Sequence, residues 1–241
     1  MFSLAYLCVL ILPMNECPEI LPFFSALAQN NHREWFQAHR HEYEKIKKYL
    51  NHLAHELIEG INRFDPSIGN LRPSDCLYRI NRDIRFKADK SPYKTFTGVY
   101  IVKGGKKSPY AGYYLHIEPG NCFVGGGLYA PEKEILNSAR MEVYYNYSVF
   151  RSIMEEPEFR RYFEGLSEME KLSRPPRGFP ADFEGIDYLK HKHYVLASPY
   201  DESLAGTAQL KDFALEVFRV MKPFVDFFNG PVDDVVRGGE Y

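Results

Sequence analysis

The spacing of apolar residues changes from helical to alternating and back along this chain, and that switch limits the fold more than any single motif. Tyr43, Ile46, Leu50, Leu53, Ala54, Leu57, Ile58 and Ile61 recur at steps of three and four, which predicts an amphipathic helix to about residue 62, ended by Asp65-Pro66. A short helix over Pro22 to Ala28 precedes it. Asn31 is the expected N-cap, with Glu34 three residues later as in a capping box. Between residues 77 and 127 the period is alternating, and strands are predicted over Phe96 to Val102, Tyr110 to Glu118 and Asn121 to Gly126. Helical spacing returns over residues 132–165, broken near Asn146 and at Glu156-Pro157. It appears again from about Ser203, with Leu210, Ala214, Val217, Met221, Phe224 and Phe228 on one stripe and a kink expected at Pro223. His191 to Leu196 reads as one late strand. Helices, a block of strands, then helices predict an α+β fold: a single domain whose antiparallel sheet is covered by N-terminal and C-terminal helices.

Glu118-Pro119-Gly120-Asn121 has the composition of a turn. A tight loop there puts Ile117 opposite Cys122, Leu115 opposite Val124, and Tyr113 and Tyr114 opposite Gly126 and Gly125. The Gly125-Gly126-Gly127 run lacks the Gly-Lys-Ser/Thr of a phosphate loop and the GxGxxG of a dinucleotide site. Glycines lying under tyrosine rings account for it.

With 241 residues, 45% apolar and 26% charged, nothing demands a second core. Cys8, Cys17, Cys76 and Cys122 fall at unrelated spacings, indicating neither a zinc ribbon nor a disulfide framework, and a reducing cytoplasm is the expected compartment. Residues 1–13 are uncharged but too short for a span and without a basic n-region, so they are expected to be a mis-annotated leader or a disordered one, with the domain over 14–241. His52 and His55 stand one turn apart beside Glu56 and Glu59, yet no third distant ligand is specified, so no metal site is assigned and no cofactor is singled out.

Chemistry concentrates between Tyr78 and Lys94. Arg79, Arg82, Arg85, Lys87, Lys90 and Lys94 face only Asp83 and Asp89, an excess of four positive charges in a chain of net charge −2, so the remainder carries −6. Read as a strand, residues 77–86 point Tyr78, Ile80, Ile84 and Phe86 one way and Arg79, Asn81, Asp83 and Arg85 the other. Arg82 is out of phase, either as a paired, buried guanidinium or at a bulge. Asp89 to Lys94 has turn composition, which places Lys90 and Lys94 at a rim.

This stretch also carries a resemblance. Arg79 to Phe86 with Asp89 to Lys94, Asn31 to Phe36, Gly112 to His116 with Gly125 to Leu128, and Pro176-Arg177-Gly178-Phe179 with Leu189-Lys190 resemble the domain of unknown function 2461, a widespread family of conserved uncharacterised proteins. The likeness runs from about residue 20 to residue 230. It implies no established activity.

Two functions are weighed for the island. In the first, Arg79, Arg82, Arg85, Lys90 and Lys94, with Asp83, Tyr93, Tyr114 and Arg177, hold a small anionic or phosphorylated compound on the polar face of the sheet. His116 and Glu118, which share a strand face with Tyr114, then supply acid or base chemistry. In the second, the arginines pair with Asp83, Asp89 and acidic helices, and the protein is a non-catalytic interaction module. A nucleic-acid accessory role is a third, although a pI of about 6.5 argues against duplex binding. Oligomeric state is not readable.

Overall fold

The computed structural model describes residues 15–86 and 88–238. The proposed leader, Cys8 and Lys87 lie outside them. Helices α1 (Ile20–Gln29), α2 (Arg33–Ala38), α3 (Arg40–Asn62) and α4 (Pro73–Cys76) lead into strands β1 (Thr97–Ile101), β2 (Gly112–Ile117) and β3 (Phe123–Leu128). Helices α5 (Lys133–Tyr145), α6 (Tyr147–Glu155), α7 (Pro157–Arg160) and α8 (Ile186–Leu189) follow, then β4 (Tyr194–Pro199) and α9 (Gln209–Gly238). The four strands form one antiparallel sheet in the order β1-β2-β3-β4. This is the expected α+β architecture.

The hairpin register is as the turn predicts: Tyr113 pairs with Gly126, Tyr114 with Gly125 and Leu115 with Val124. Gly120 has φ +81° and Asn121 N–H donates to the Glu118 carbonyl at 3.0 Å, so glycine supplies the left-handed position that closes the turn. The breaks between α5, α6 and α7 fall at Asn146 and Glu156, also as expected.

Alternation divides the sheet into two faces. Tyr113, Leu115, Ile117, Val124 and Leu196 are buried in the core. Tyr113 packs on Phe218 of α9 and its hydroxyl donates to Asp65 at 2.8 Å. Asp65, 1% exposed, also accepts from the amide and hydroxyl of Ser67, so its burial is matched by hydrogen bonds. The opposite face presents Gly98, Tyr100, Tyr114, His116, Phe123, Gly125 and Ala197. Both sheet edges are covered: Leu77 bridges Val99 outside β1, and Ser167 N–H donates to Val195 outside β4.

The glycine run has a different cause from the one expected. A Cβ at Gly125 would stand 2.0 Å from the Leu196 carbonyl oxygen, and one at Gly126, where φ is +137°, 2.1 Å from that of Gly112. Crowding by neighbouring backbone requires these glycines. The ring of Tyr114 lies over Gly98, where a Cβ would meet its Cε2 and Oη at 2.9 Å and the Leu115 carbonyl oxygen at 2.4 Å.

Several local expectations are corrected. Asn31 does not cap a helix; His32 does, its Nδ1 accepting from Trp35 N–H at 3.4 Å, and the chain breaks at His39 between α2 and α3. Ser203 sits in a 3₁₀ turn, and α9 begins at Gln209 and runs as one helix through Pro223 and Pro231. The late strand starts at Tyr194, not His191, because His191 bridges Lys171 on the outer segment.

Candidate anion-binding cleft

The stretch from Leu77 to Phe86 is not a strand. It makes single bridges only, Leu77 with Val99 and Asn81 with Tyr93. Short acidic side chains compete for the backbone here: Asp83 Oδ1 accepts from Arg85 N–H at 3.3 Å and Asp89 Oδ1 from Ser91 N–H at 2.9 Å, turning the chain locally. The predicted apolar face dissolves accordingly. Ile80 is buried, Ile84 is half-buried, Tyr78 is 48% exposed and Phe86 is 96% exposed.

The base of this loop is held firmly. Arg82 N–H donates to the Pro92 carbonyl at 2.9 Å and Lys94 N–H to that of Ile80 at 2.8 Å. Asn31 clamps the backbone of Tyr93, its Nδ2 donating to the Tyr93 carbonyl at 2.9 Å and its Oδ1 accepting from the amide at 3.1 Å. Tyr93 itself is buried, its ring stacked on Phe36 at 4.1 Å.

The cations of the island separate into two groups. Arg85 forms two bonds to Asp83, at 3.0 and 2.6 Å, and Arg82 pairs with Asp89 while also donating to the Ser91 carbonyl. Hydrogen bonds from Ser91, then from Arg82, hold the Asp89 carboxyl well below its usual range. Lys90 donates to the Ile84 carbonyl at 3.0 Å. Arg79 and Lys94, by contrast, have no carboxylate partner among the described residues. Burial, and then the nearby Arg79 charge, lower the pKa of Lys94, whose Nζ lies 5.2 Å from the centre of the Tyr78 ring.

Arg79 and Lys94 line one narrow cleft at the edge of β1, of about 30 Å³, with Tyr78, Thr97, Gly98 and Tyr114. A wider groove of about 400 Å³ shares Tyr43, Tyr78, Arg79 and Thr97 with this cleft and is lined also by Asn51 of α3, Ser74 and Asn81. Arg79 therefore borders both.

Tyr114 is the end of a hydrogen-bonded chain. Its hydroxyl is 2.7 Å from Nδ1 of His116, whose Nε2 is 3.0 Å from Oε2 of Glu118. Asn121 Nδ2 donates to that same oxygen at 2.9 Å. His116 is 6% exposed and lies between Phe96 and Phe123, with ring centres at 4.9 and 4.7 Å. Burial pushes its pKa down, opposed by Glu118. Burial also raises the pKa of the Tyr114 phenol, which therefore keeps its proton at neutral pH.

The structure thus brings Arg79, Lys94 and Tyr114 together, with His116 and Glu118 behind Tyr114. Asp83, Arg85 and Lys90 are spent on local pairs, and Arg177 lies exposed on the loop before α8 and lines neither cavity. Sequence reasoning gave Gly98 no role and read Asn31 as a helix cap, not as the clamp on Tyr93. A glycine inside a strand was a usable signal for the first. Nothing in the spacing indicates that Asn31 reaches 62 residues ahead. His52 and His55 pair with Glu56 and Glu59 along α3, and among the described residues no group of three or more metal-ligating side chains gathers. Cys17, Cys76 and Cys122 are buried free thiols. No described helix is long and apolar enough to cross a membrane.

The fold is that of an α+β protein, with a cleft at the edge of its antiparallel sheet lined by two cations, Arg79 and Lys94, that have no carboxylate partner among the described residues. The chain belongs to the conserved hypothetical protein family DUF2461, which matches over residues 19–227. No curated protein and no solved structure matches it.

Proposed function

We propose that the protein binds a small phosphorylated or otherwise anionic compound, with the anion between Arg79 and Lys94 and the body of the compound in the groove along α3. The observation that carries this is the contrast within one basic stretch. Arg82 and Arg85 are paired with carboxylates, whereas Arg79 and Lys94 share a cleft with none among the described residues. Two cations left together, Lys94 half-buried and Arg79 exposed beside it, repel each other, and an anion relieves that cost. Arginine supplies planar, two-pronged contacts and lysine a point charge, a combination suited to phosphate or carboxylate. Tyrosines, amides and hydroxyls along the wider groove suit a polar organic body, and its volume is in the range of small-molecule sites.

Arg82 and Arg85 support the scaffold reading for their half of the island, and the proposal does not use them. A thermal-shift screen of phosphorylated and carboxylated metabolites tests the function. Stabilisation of the wild type by members of one such class, lost in Arg79→Ala, is expected; no stabilisation by any of them contradicts it.

A further inference from the structure

We propose that Tyr114 is a nucleophile for phosphoryl transfer, with His116 as its general base and Glu118 positioning that base. This rests on the anion-binding function proposed above and assigns phosphate esters as its substrate class.

The order of groups is that of a nucleophile, a base and an orienting carboxylate. Glu118, as a carboxylate, only accepts, so the proton of neutral His116 sits on Nε2. Nδ1 is then an acceptor, and the Tyr114 hydroxyl 2.7 Å away donates to it. The second oxygen-side contact, Asn121 Nδ2 to Glu118 at 2.9 Å, fixes the carboxylate. A buried histidine satisfied by two neighbours is the ordinary structural alternative, and three observations go beyond it. His116 is closed off, with both nitrogens engaged, while Tyr114 is only partly buried and forms part of the cleft wall. The strand opposite has a glycine, Gly98, whose Cβ would meet both the Leu115 carbonyl oxygen and the Tyr114 hydroxyl, so the phenol lies over bare backbone in this position. The same cleft holds Arg79 and Lys94, the charges that a phosphoryl group in transfer requires.

In the step, Tyr114 Oη attacks the phosphorus of a bound ester. The Oη–P bond forms as the bond from phosphorus to the leaving oxygen breaks. The phenolic proton passes to His116 Nδ1, Glu118 stabilises the resulting imidazolium, and the leaving oxygen departs as the anion and takes a proton from solvent. Water then attacks the phosphotyrosine from the vacated side and gives up a proton to solvent. The Oη–P bond breaks, phosphate departs, and His116 returns the proton to Tyr114. No oxidant or reductant is needed.

The test uses p-nitrophenyl phosphate with the full chain. After an acid quench, peptide mass spectrometry is expected to find a phosphoryl group on Tyr114, and Tyr114→Phe is expected to lose both the adduct and p-nitrophenolate release. His116→Gln should slow release by about 100-fold or more. Glu118→Gln should move the acid limb of the pH profile to lower pH, because Glu118 is the group that raises the pKa of His116. Binding of inorganic phosphate to Tyr114→Phe shows that this variant is folded. If phosphate binds the wild type but no adduct forms, or if Tyr114→Phe releases p-nitrophenolate at the wild-type rate, the nucleophile is overturned while the anion site stands. If phosphate does not bind the wild type, the anion site fails and the nucleophile with it.

Discussion

The Tyr114 hydroxyl, 2.7 Å from His116 Nδ1, lies over Gly98, which faces His116 across β1 and β2. A Cβ there would stand 2.9 Å from the phenol oxygen and 2.4 Å from the Leu115 carbonyl oxygen. Gly98→Ala is therefore expected to swing Tyr114 away and to cost about 1–3 kcal/mol of stability through overpacking. Histidine-selective NMR should show His116 Nδ1 losing its hydrogen bond. An unchanged His116 signal would show that Tyr114 holds its place without this glycine.

Tyr113, the neighbour on the other face, tests the core. Its hydroxyl supplies one of the bonds to buried Asp65. Tyr113→Phe should lose about 1–3 kcal/mol, because the carboxylate keeps only its Ser67 contacts. Urea unfolding measures it, and no change would place a water or another donor at Asp65.

Arg82 belongs to the scaffold. Its pair with Asp89 and its bond to the Ser91 carbonyl close the loop whose base positions Lys94. Arg82→Ala is expected to lower the thermal unfolding midpoint more than Arg79→Ala or Lys94→Ala does. Equal midpoints for the three would remove the division between structural and binding cations.

Acid sensitivity should centre on His191. Burial, and then Lys171, depress its pKa from 6.5 to about 4, and its buried Nδ1 has no hydrogen-bond partner among the described residues. The unfolded chain takes up a proton between these values while the folded one does not. Stability is thus full above about pH 6.5 and falls as pH drops toward 4. His191→Gln should flatten that part of the stability–pH curve, measured by urea midpoints. His116, also depressed, contributes in the same direction. An unchanged slope would mean that His191 is protonated in the folded state.

What was legible follows from range. The stripe on α9, the breaks at Asn146 and Glu156 and the register of Tyr113 to Leu115 on Gly126 to Val124 depend on neighbours within a turn or a hairpin. The stretch from Tyr78 to Phe86 misled because its alternation resembles a strand, while Asp83 and Asp89 bend the backbone locally. Within the site, composition pointed to the arginines but not to their division. Which of them stays unpaired depends on loop closure, since Arg82 meets Asp89 seven residues away and Arg85 meets Asp83 two residues back. The link from Asn31 to Tyr93 and the one from Tyr113 to Asp65 are long-range side-chain bonds that no local pattern encodes.

The central claim is that Arg79 and Lys94, not the whole basic island, hold the anion. Calorimetric titration of inorganic phosphate into wild type, Arg79→Ala, Lys94→Ala and Arg85→Ala compares them directly. Removing one charge-assisted contact is worth about 1.5–3 kcal/mol, roughly a 10- to 150-fold loss of affinity. That loss is predicted for Arg79→Ala and Lys94→Ala, with Arg85→Ala unchanged. Equal affinity in all four proteins, or a loss confined to Arg85→Ala, would contradict it.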